Sequence, residues 1–321
     1  MAFDLAFLSV VIEAALGYTA GLVRRIGHPV IWIGRLIVVL DHGLNRAGWT
    51  AARRRLMGMI AILVVVACAA VPAFLLELGL RSLPFGLLLA GLAGSTLIAQ
   101  RSLHWHVARV ADALDGGSIE DARSAVSHIV GRDPQTLDDH GVARAAIESL
   151  AENFSDGVVA PALWMCVGGL AGGAAYKALN TADSMIGHLT ERHAAFGWAS
   201  ARADDYVNLP ASRLAGMLLI AAAALTPGAD ARAAHRAMLR DAPRHRSPNA
   251  GWPEAAMAGA LGLKLNGPKV YAGVPTEDAY MGDGRREATA LDVRAALRLY
   301  RRADALMILI VLVGALLSLL A

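Results

Sequence analysis

From Leu56 to Leu78 the chain reads LMGMIAILVVVACAAVPAFLLEL, with Glu77 as its one charged side chain. About 20 consecutive apolar residues suffice to cross a bilayer as a helix. This run meets that requirement, and a soluble core rarely needs such a stretch. Two further runs, Leu83 to Ala99 and Ala305 to Ala321, read the same way. A fourth, Leu5 to Val23, is interrupted by Glu13, and Val158 to Tyr176 and Leu209 to Leu225 are weaker, being rich in Gly and Ala. With 56% hydrophobic and only 18% charged residues, the composition also departs from that of soluble domains. The expected fold class is all-α: a polytopic integral membrane protein with five or six membrane segments and polar loops or helices between them. A single membrane-embedded domain over 1–321 is expected. The rival is a soluble all-helical protein with very apolar core helices.

Orientation follows from Lys and Arg. None precedes Arg24, so the start lacks the positive region of a signal peptide and reads as a retained helix. Arg24, Arg25, Arg35, Arg46 and Arg53 to Arg55 follow closely. Cytoplasmic loops carry such an excess, so the N-terminus is expected outside and 101–157 and 227–304 inside a cell (inner) membrane, with the active site facing the cytoplasm. Whether 158–176 and 209–225 cross, or dip in and return, is open at this point. Glu13, near the middle of an apolar stretch, is expected to face protein rather than lipid.

Several chemistries are absent from the motifs. A formal net charge of +3 with no basic stripe interleaved with aromatics gives no nucleic-acid signature. No Walker loop, Gly-x-Ser-x-Gly or Cys-x-x-Cys occurs. Cys68 and Cys166 sit in apolar runs as packing residues. GGLAGG at 168–173 reads as small residues that let helices approach closely.

Four polar segments carry the candidate chemistry. In ESLAENFSDGVVAPALW, 148–164, Glu148, Glu152 and Asp156 lie four residues apart and share a helical face, with Asn153 nearby. Thr136 is the expected cap of this helix, with Asp138 and Asp139 in its first turn. The acidic row runs into an apolar segment, where ionised groups are usually functional. A divalent cation such as Mg²⁺, bound through one or two carboxylates plus substrate phosphates, would relieve its repulsion. The alternative is a solvated acidic face. KALNTADSMIGH, 177–188, places Lys177, Thr181, Ser184 and His188 on one face and Asn180, Asp183 and Gly187 on the next. Lys177 suits a phosphate as a point charge; a hydrated helix end is the competing reading. Asp204, Asp205, Asn208 and Arg213 precede or enter the next apolar run, with Pro210 near a helix start. SPNAGWPE, 247–254, reads as a rigid loop displaying Asn249, Trp252 and Glu254.

These blocks, together with GHPVIWIGRLI at 27–37 (which contains His28), GRDPQTLDD at 131–139, FGWASARADDYVNLPASRL and GALGLKLNGPKVY, closely resemble the CobD/CbiB family, in order, from about Glu13 to Tyr271. The resemblance implies an integral membrane adenosylcobinamide-phosphate synthase of adenosylcobalamin synthesis. Such enzymes use ATP to join the carboxylate of adenosylcobyric acid to the amine of (R)-1-aminopropan-2-ol phosphate, or a related amino-alcohol phosphate. It further implies a corrinoid partner, Mg²⁺, and a metal set drawn from Glu148, Glu152, Asp156 and Asp183. Lys177 and Arg213 are implied for phosphates, and Trp164, Trp198 and Trp252 either pack on the corrinoid or anchor the interface. Where the family often writes Asp-x-x-x-Gly-Asp-Pro, this chain keeps the first acid as Glu13 and has Tyr18 and Thr19 after Gly17. The competing class is non-enzymatic: an AmpE-like signalling protein or a corrinoid or cobalt carrier.

Overall fold

The computed structural model describes residues 1–17, 27–131, 134–271 and 274–320, with the backbone alone for 269–271 and 274–276. Tyr18, Thr19, Arg24, Arg25, Arg132 and Asp133 lie outside the described residues. Helix dominates, and among the described residues the strands form two short antiparallel pairs, Leu265–Asn266 with Tyr280–Met281 and Lys269–Tyr271 with Val274–Thr276. Among the described residues four helical stretches are long and apolar enough to cross a membrane: Ala51–Arg81, Asp139–Ile186, Trp198–Ala224 and Ala290–Leu320. Contacts divide the chain into two compact units.

The first unit holds 1–99, 160–208 and 310–321. Its α1, Phe3–Leu16, is followed by α2, Pro29–Leu44, and α3, Ala51–Arg81. Only 17% of the most apolar stretch of α3 is buried, so leucines, valines and phenylalanines cover its outer face. Water does not tolerate such a surface, but lipid does. Next comes α4, Gly86–Ser95. The apolar run at 83–99 therefore yields only a ten-residue helix, about 15 Å long. Phe85 in a left-handed conformation starts it, and the turn after Ser95 ends it.

The 160–186 stretch, α8, is a helical hairpin. Gly168 (φ −124°, ψ 20°) and Gly169 (φ 61°, ψ −152°) break it, and Leu170 restarts it. A Cβ on Gly172 would lie 2.2 Å from the carbonyl oxygen of Trp164. In an unbroken helix eight residues rise about 12 Å, so the chain has turned back on itself. GGLAGG thus contains a reversal as well as a close-packing surface. The N–H of Leu170, orphaned by the break, donates to Glu77 Oε2 at 2.7 Å. Arg81 donates to the other Glu77 oxygen and also pairs with Asp4.

At the opposite end of this unit, the turn at 187–197 is tied to the loop after α2. Arg192 pairs with Asp41 at 2.6 Å, Asn45 donates to the Arg192 carbonyl, and Arg54 donates to Asn45 and to the carbonyl of Arg192. Burial alone would push the Asp41 carboxyl up; the Asn45 amide and the Arg192 guanidinium outweigh it and hold the group below the ordinary carboxylate range. Ile37, Ile62, Val65, Leu179, Ile186 and Phe196 pack between these elements. Glu13 is fully buried, as expected for an acid in an apolar helix.

The second unit holds 100–159 and 209–309. Here α5, Gln100–Asp115, and α6, Ile119–Ser127, pack with α7, Asp139–Phe154. The cap of α7 is Asp138, not Thr136; its carboxylate accepts from the Gly141 N–H at 2.7 Å. A π-turn, Ser155–Val159, follows. The helix α9, Trp198–Ala224, carries Pro210 in its interior rather than near its start. Its part in this unit packs on α10, Ala231–Asp241, through Gly216 and Met238. The other partner of α10 is α11, Gly251–Leu261. Most of α12, Ala290–Leu320, also belongs here; its Tyr300 is buried and donates to the Gln100 carbonyl.

Candidate functional site

The expected site residues fall into two groups, one in each unit. In the first, Asp204 on α9 is the centre. It is 8% exposed, and its two oxygens accept separately: Oδ2 from Asn208 at 2.9 Å and Oδ1 from Asn180 at 3.4 Å. The fully buried Asn208 is fixed in turn by Tyr176, whose hydroxyl donates to its Oδ1 at 2.9 Å. That bond sets which end of the Asn208 amide faces Asp204. Asp183 is close enough to act on Asp204 electrostatically, and Lys177 acts in the same way on His28 at the start of α2. Two carboxylates, two amides and a lysine thus come from neighbouring turns of two helices.

Other members of this set are turned elsewhere. Ser184 is exposed and spends its hydroxyl on the Asn180 carbonyl, as Thr181 does on that of Lys177. Asp205 pairs with Arg202 at 3.8 Å. Trp164 donates its indole N–H to the Val207 carbonyl, which fixes the ring inside this unit.

In the second group the acidic row separates by environment. Glu148 is buried and accepts from the Asn266 N–H at 2.7 Å, where Asn266 adopts a left-handed conformation. Its carboxylate holds the turn into the strand pair. Glu152 is exposed, Asn153 donates to Ser149, and half-buried Asp156 lies in the π-turn. Such turns often mark functional sites. Among the described residues no three His, Cys, Asp or Glu side chains gather closely enough to hold a metal ion alone. The residues present fit a cation held by one or two carboxylates plus ligand oxygens, and not a protein cage.

Arg213 is the fixed cation of this unit. Its Nη1 donates to the Leu209 carbonyl, Ser212 Oγ and Asn249 Oδ1, at 3.0–3.2 Å. Its guanidinium lies 4.4 Å from the centre of the Trp252 ring. Glu254, 3% exposed, faces His245 at 3.7 Å. Trp252 and Glu254 are therefore not displayed on a loop. They occupy the first turn of α11, and Asn249 is buried before it, because Ser247 Oγ accepts from the Asn249 and Ala250 N–H groups and winds the segment inward.

Sequence reasoning missed Tyr176, Ser212 and His245. Tyr176 was legible as the residue one turn before Asn180; Ser212 and His245 carry no spacing signal of their own.

The described residues thus define a mainly helical protein with four helices long and apolar enough to cross a membrane, which carries buried carboxylates held by amides and an arginine locked on a fixed platform. Residues 6–300 match the model of the CobD/Cbib protein family, and the chain belongs to that family. It is 50% identical over 300 residues to the cobalamin biosynthesis protein CobD of Rhodobacter capsulatus, covering 94% of this chain and 93% of that one. Identity to the protein of that name in a Sinorhizobium species is 49%, covering 91% and 92% of the two chains, and in Brucella suis 44%, covering 97% and 96%. No solved structure matches it.

Proposed function

We propose that this protein is a membrane-embedded, ATP-dependent acid–amine ligase of adenosylcobalamin synthesis, an adenosylcobinamide-phosphate synthase. The observation that carries the reading is the family match over residues 6–300, whose relatives are named for cobalamin biosynthesis. A carboxylate is a poor acceptor for an amine. In the proposed reaction the free carboxylate of adenosylcobyric acid attacks the γ-phosphorus of ATP, releasing ADP and leaving an acyl phosphate. The amine of (R)-1-aminopropan-2-ol phosphate, or a related amino-alcohol phosphate, then attacks the acyl carbon. The C–O bond to phosphate breaks, inorganic phosphate leaves, and the amine gives up a proton.

Phosphoryl transfer is governed mainly by positioning and charge. Asp204, oriented by Asn180 and Asn208, and its neighbour Asp183 suit Mg²⁺ together with phosphate oxygens. When bound, the metal would neutralise charge on the transferring phosphoryl group. Lys177 supplies a phosphate contact. Glu152 and Asp156 are assigned to metal and nucleotide in the second unit. There Arg213, locked by Asn249 and stacked on Trp252, presents a preorganised cation to a substrate phosphate. Glu13, His28, Asn153, Ser184, Asp205 and Glu254 remain substrate-side candidates in this reading.

The proposed setting is the inner membrane with the N-terminus outside and the site on the cytoplasmic face. Two structural features support it. The 187–197 turn is bound to Asn45 and Arg54, so it lies on the same side as the arginine-rich loop. The later half of α9 packs on α10 at Gly216 and Met238, and Arg232, Arg236 and Arg240 of α10 are exposed; arginines on such a surface do not belong in lipid. In this reading the 187–197 turn and the arginine-rich loop are cytoplasmic, and α3 and α12 are spanning helices.

The test is ATP-dependent formation of adenosylcobinamide phosphate by purified protein. Asp204→Asn and Glu152→Gln should each lower turnover by about 100-fold or more with the fold intact. Wild-type turnover across a Mg²⁺ titration would remove the substituted residue from the site, and no ATP-dependent product from the unaltered protein would overturn the function.

A further inference from the structure

The first unit contains an apolar groove that meets the residues of the proposed chemistry only at His28. Its volume is about 660 Å³. Along α3 it touches Val65, Cys68, Ala69, Pro72, Leu76 and Leu80. Fifteen residues of helix separate the first from the last, a rise of about 22 Å. Leu89 and Leu92 of α4, Trp32 of α2 and Leu170 and Ala174 of α8 also line it. The groove is therefore long, narrow and almost wholly hydrocarbon. It is also open: Cys68, Pro72, Leu76, Leu89, Leu92 and Trp32 are all exposed. Its mouth lies on α3, the helix with the least buried apolar stretch of the four long ones.

We propose that this groove binds one acyl chain of a phospholipid. The inference rests on the membrane setting proposed above but not on the ligase reaction. The occupant follows from the lining. A corrinoid or nucleotide presents amides, hydroxyls and charges that these walls cannot hydrogen-bond, and burying them unpaired is costly. An acyl chain presents only methylenes, and each one buried contributes about 0.8 kcal/mol relative to water. Against bilayer solvent that hydrophobic gain is absent, so retention depends on close packing along the walls. A run of about 22 Å exceeds the roughly 15 Å hydrocarbon depth of one leaflet, so a single chain has continuous wall along its length.

Cys68 is a native probe at the mouth, and Cys166 is buried. Protein carrying Cys166→Ser is delipidated in detergent, and the rate of Cys68 modification by N-ethylmaleimide is measured with and without dioleoylphosphatidylcholine. The expected result is at least fivefold protection by the phospholipid. Ala73→Trp, which fills the groove, should abolish phospholipid-dependent protection and lower phosphorus co-purifying with the protein. Leu63→Trp, on an exposed part of α3 outside the groove, should change neither. Equal rates with and without phospholipid would overturn the proposal, as would equal protection by detergent micelles alone or by cobinamide in place of phospholipid. Retained protection in a folded Ala73→Trp protein, checked by thermal unfolding, would overturn it too. None of these readouts uses ATP, so failure of the ligase reading leaves the result interpretable.

Discussion

Asp204 owes part of its orientation to a residue that acts on it through another. Tyr176 holds Asn208, and Asn208 presents its N–H to the carboxylate. Hydrogen bonds between helices in an apolar setting contribute about 1 kcal/mol each. Tyr176→Phe should therefore cost about 1 kcal/mol of stability, yet lower turnover about tenfold through loss of Asp204 orientation, with little change in the KM for ATP. Kinetics beside a thermal melt test this; an unchanged kcat would mean that the chain of bonds is only structural. Asp41 gives a pH-dependent counterpart. Its folded-state carboxyl is held low, after burial, by Asn45 and Arg192. A depressed carboxyl contributes stability above its unfolded value, near 3.8, and loses it as pH falls through the lower folded value. Stability attributable to Asp41 should thus be constant above about pH 5 and fall away below about pH 4. Asp41→Asn should cost about 1–2 kcal/mol at neutral pH and flatten that acid limb in thermal melts recorded from pH 3 to 7.

At the scale of elements, α8 is the feature most sensitive to one atom. Gly169 has φ 61°, and a Cβ there would lie 2.4 Å from Glu77 Oε2. Gly169→Ala should cost about 2–4 kcal/mol, from left-handed strain and from displacing the carboxylate that accepts the Leu170 N–H. A wild-type melting temperature for this variant would refute the account. The same element shows what sequence spacing conveys and what it does not. The run at 56–78 announced α3 directly, because a long apolar stretch with a single charge near its end has few other folds. The stripe from Lys177 to Asp183 was legible as helical periodicity. The reversal at Gly168 was not, since small residues that permit close packing and glycines that permit φ > 0 are the same letters. Glu148 looked like its neighbour Glu152 for a related reason. Four-residue spacing puts both on one face, and only a distant backbone group, the Asn266 N–H, distinguishes a buried structural acid from an exposed one.

For the whole molecule, the decisive question is which side of the membrane each turn occupies. Leu189 is 92% exposed in the turn tied to Asn45 and Arg54. In a Cys68→Ser, Cys166→Ser background, Leu189→Cys should react with a membrane-impermeant maleimide in inside-out vesicles and not in intact spheroplasts. The reverse pattern would invert the proposed orientation. The legible part of the molecule was its long apolar helices and the grouping of polar motifs. Its division into two units was hidden, because α9 and α12 each run through both without a break in sequence pattern.

The carboxylate of Glu77 accepts from a residue 93 positions later in the chain. A ribosome adding about 5–20 residues per second needs roughly 5–20 s to make that span. For that interval α3 exists with its acid and without the amide it serves. Arg81, four residues on, and Asp4, already made, form an ion network that can host the charge meanwhile. The nascent protein thus carries its own counter-ion, and the hairpin made later finds an acceptor already in position.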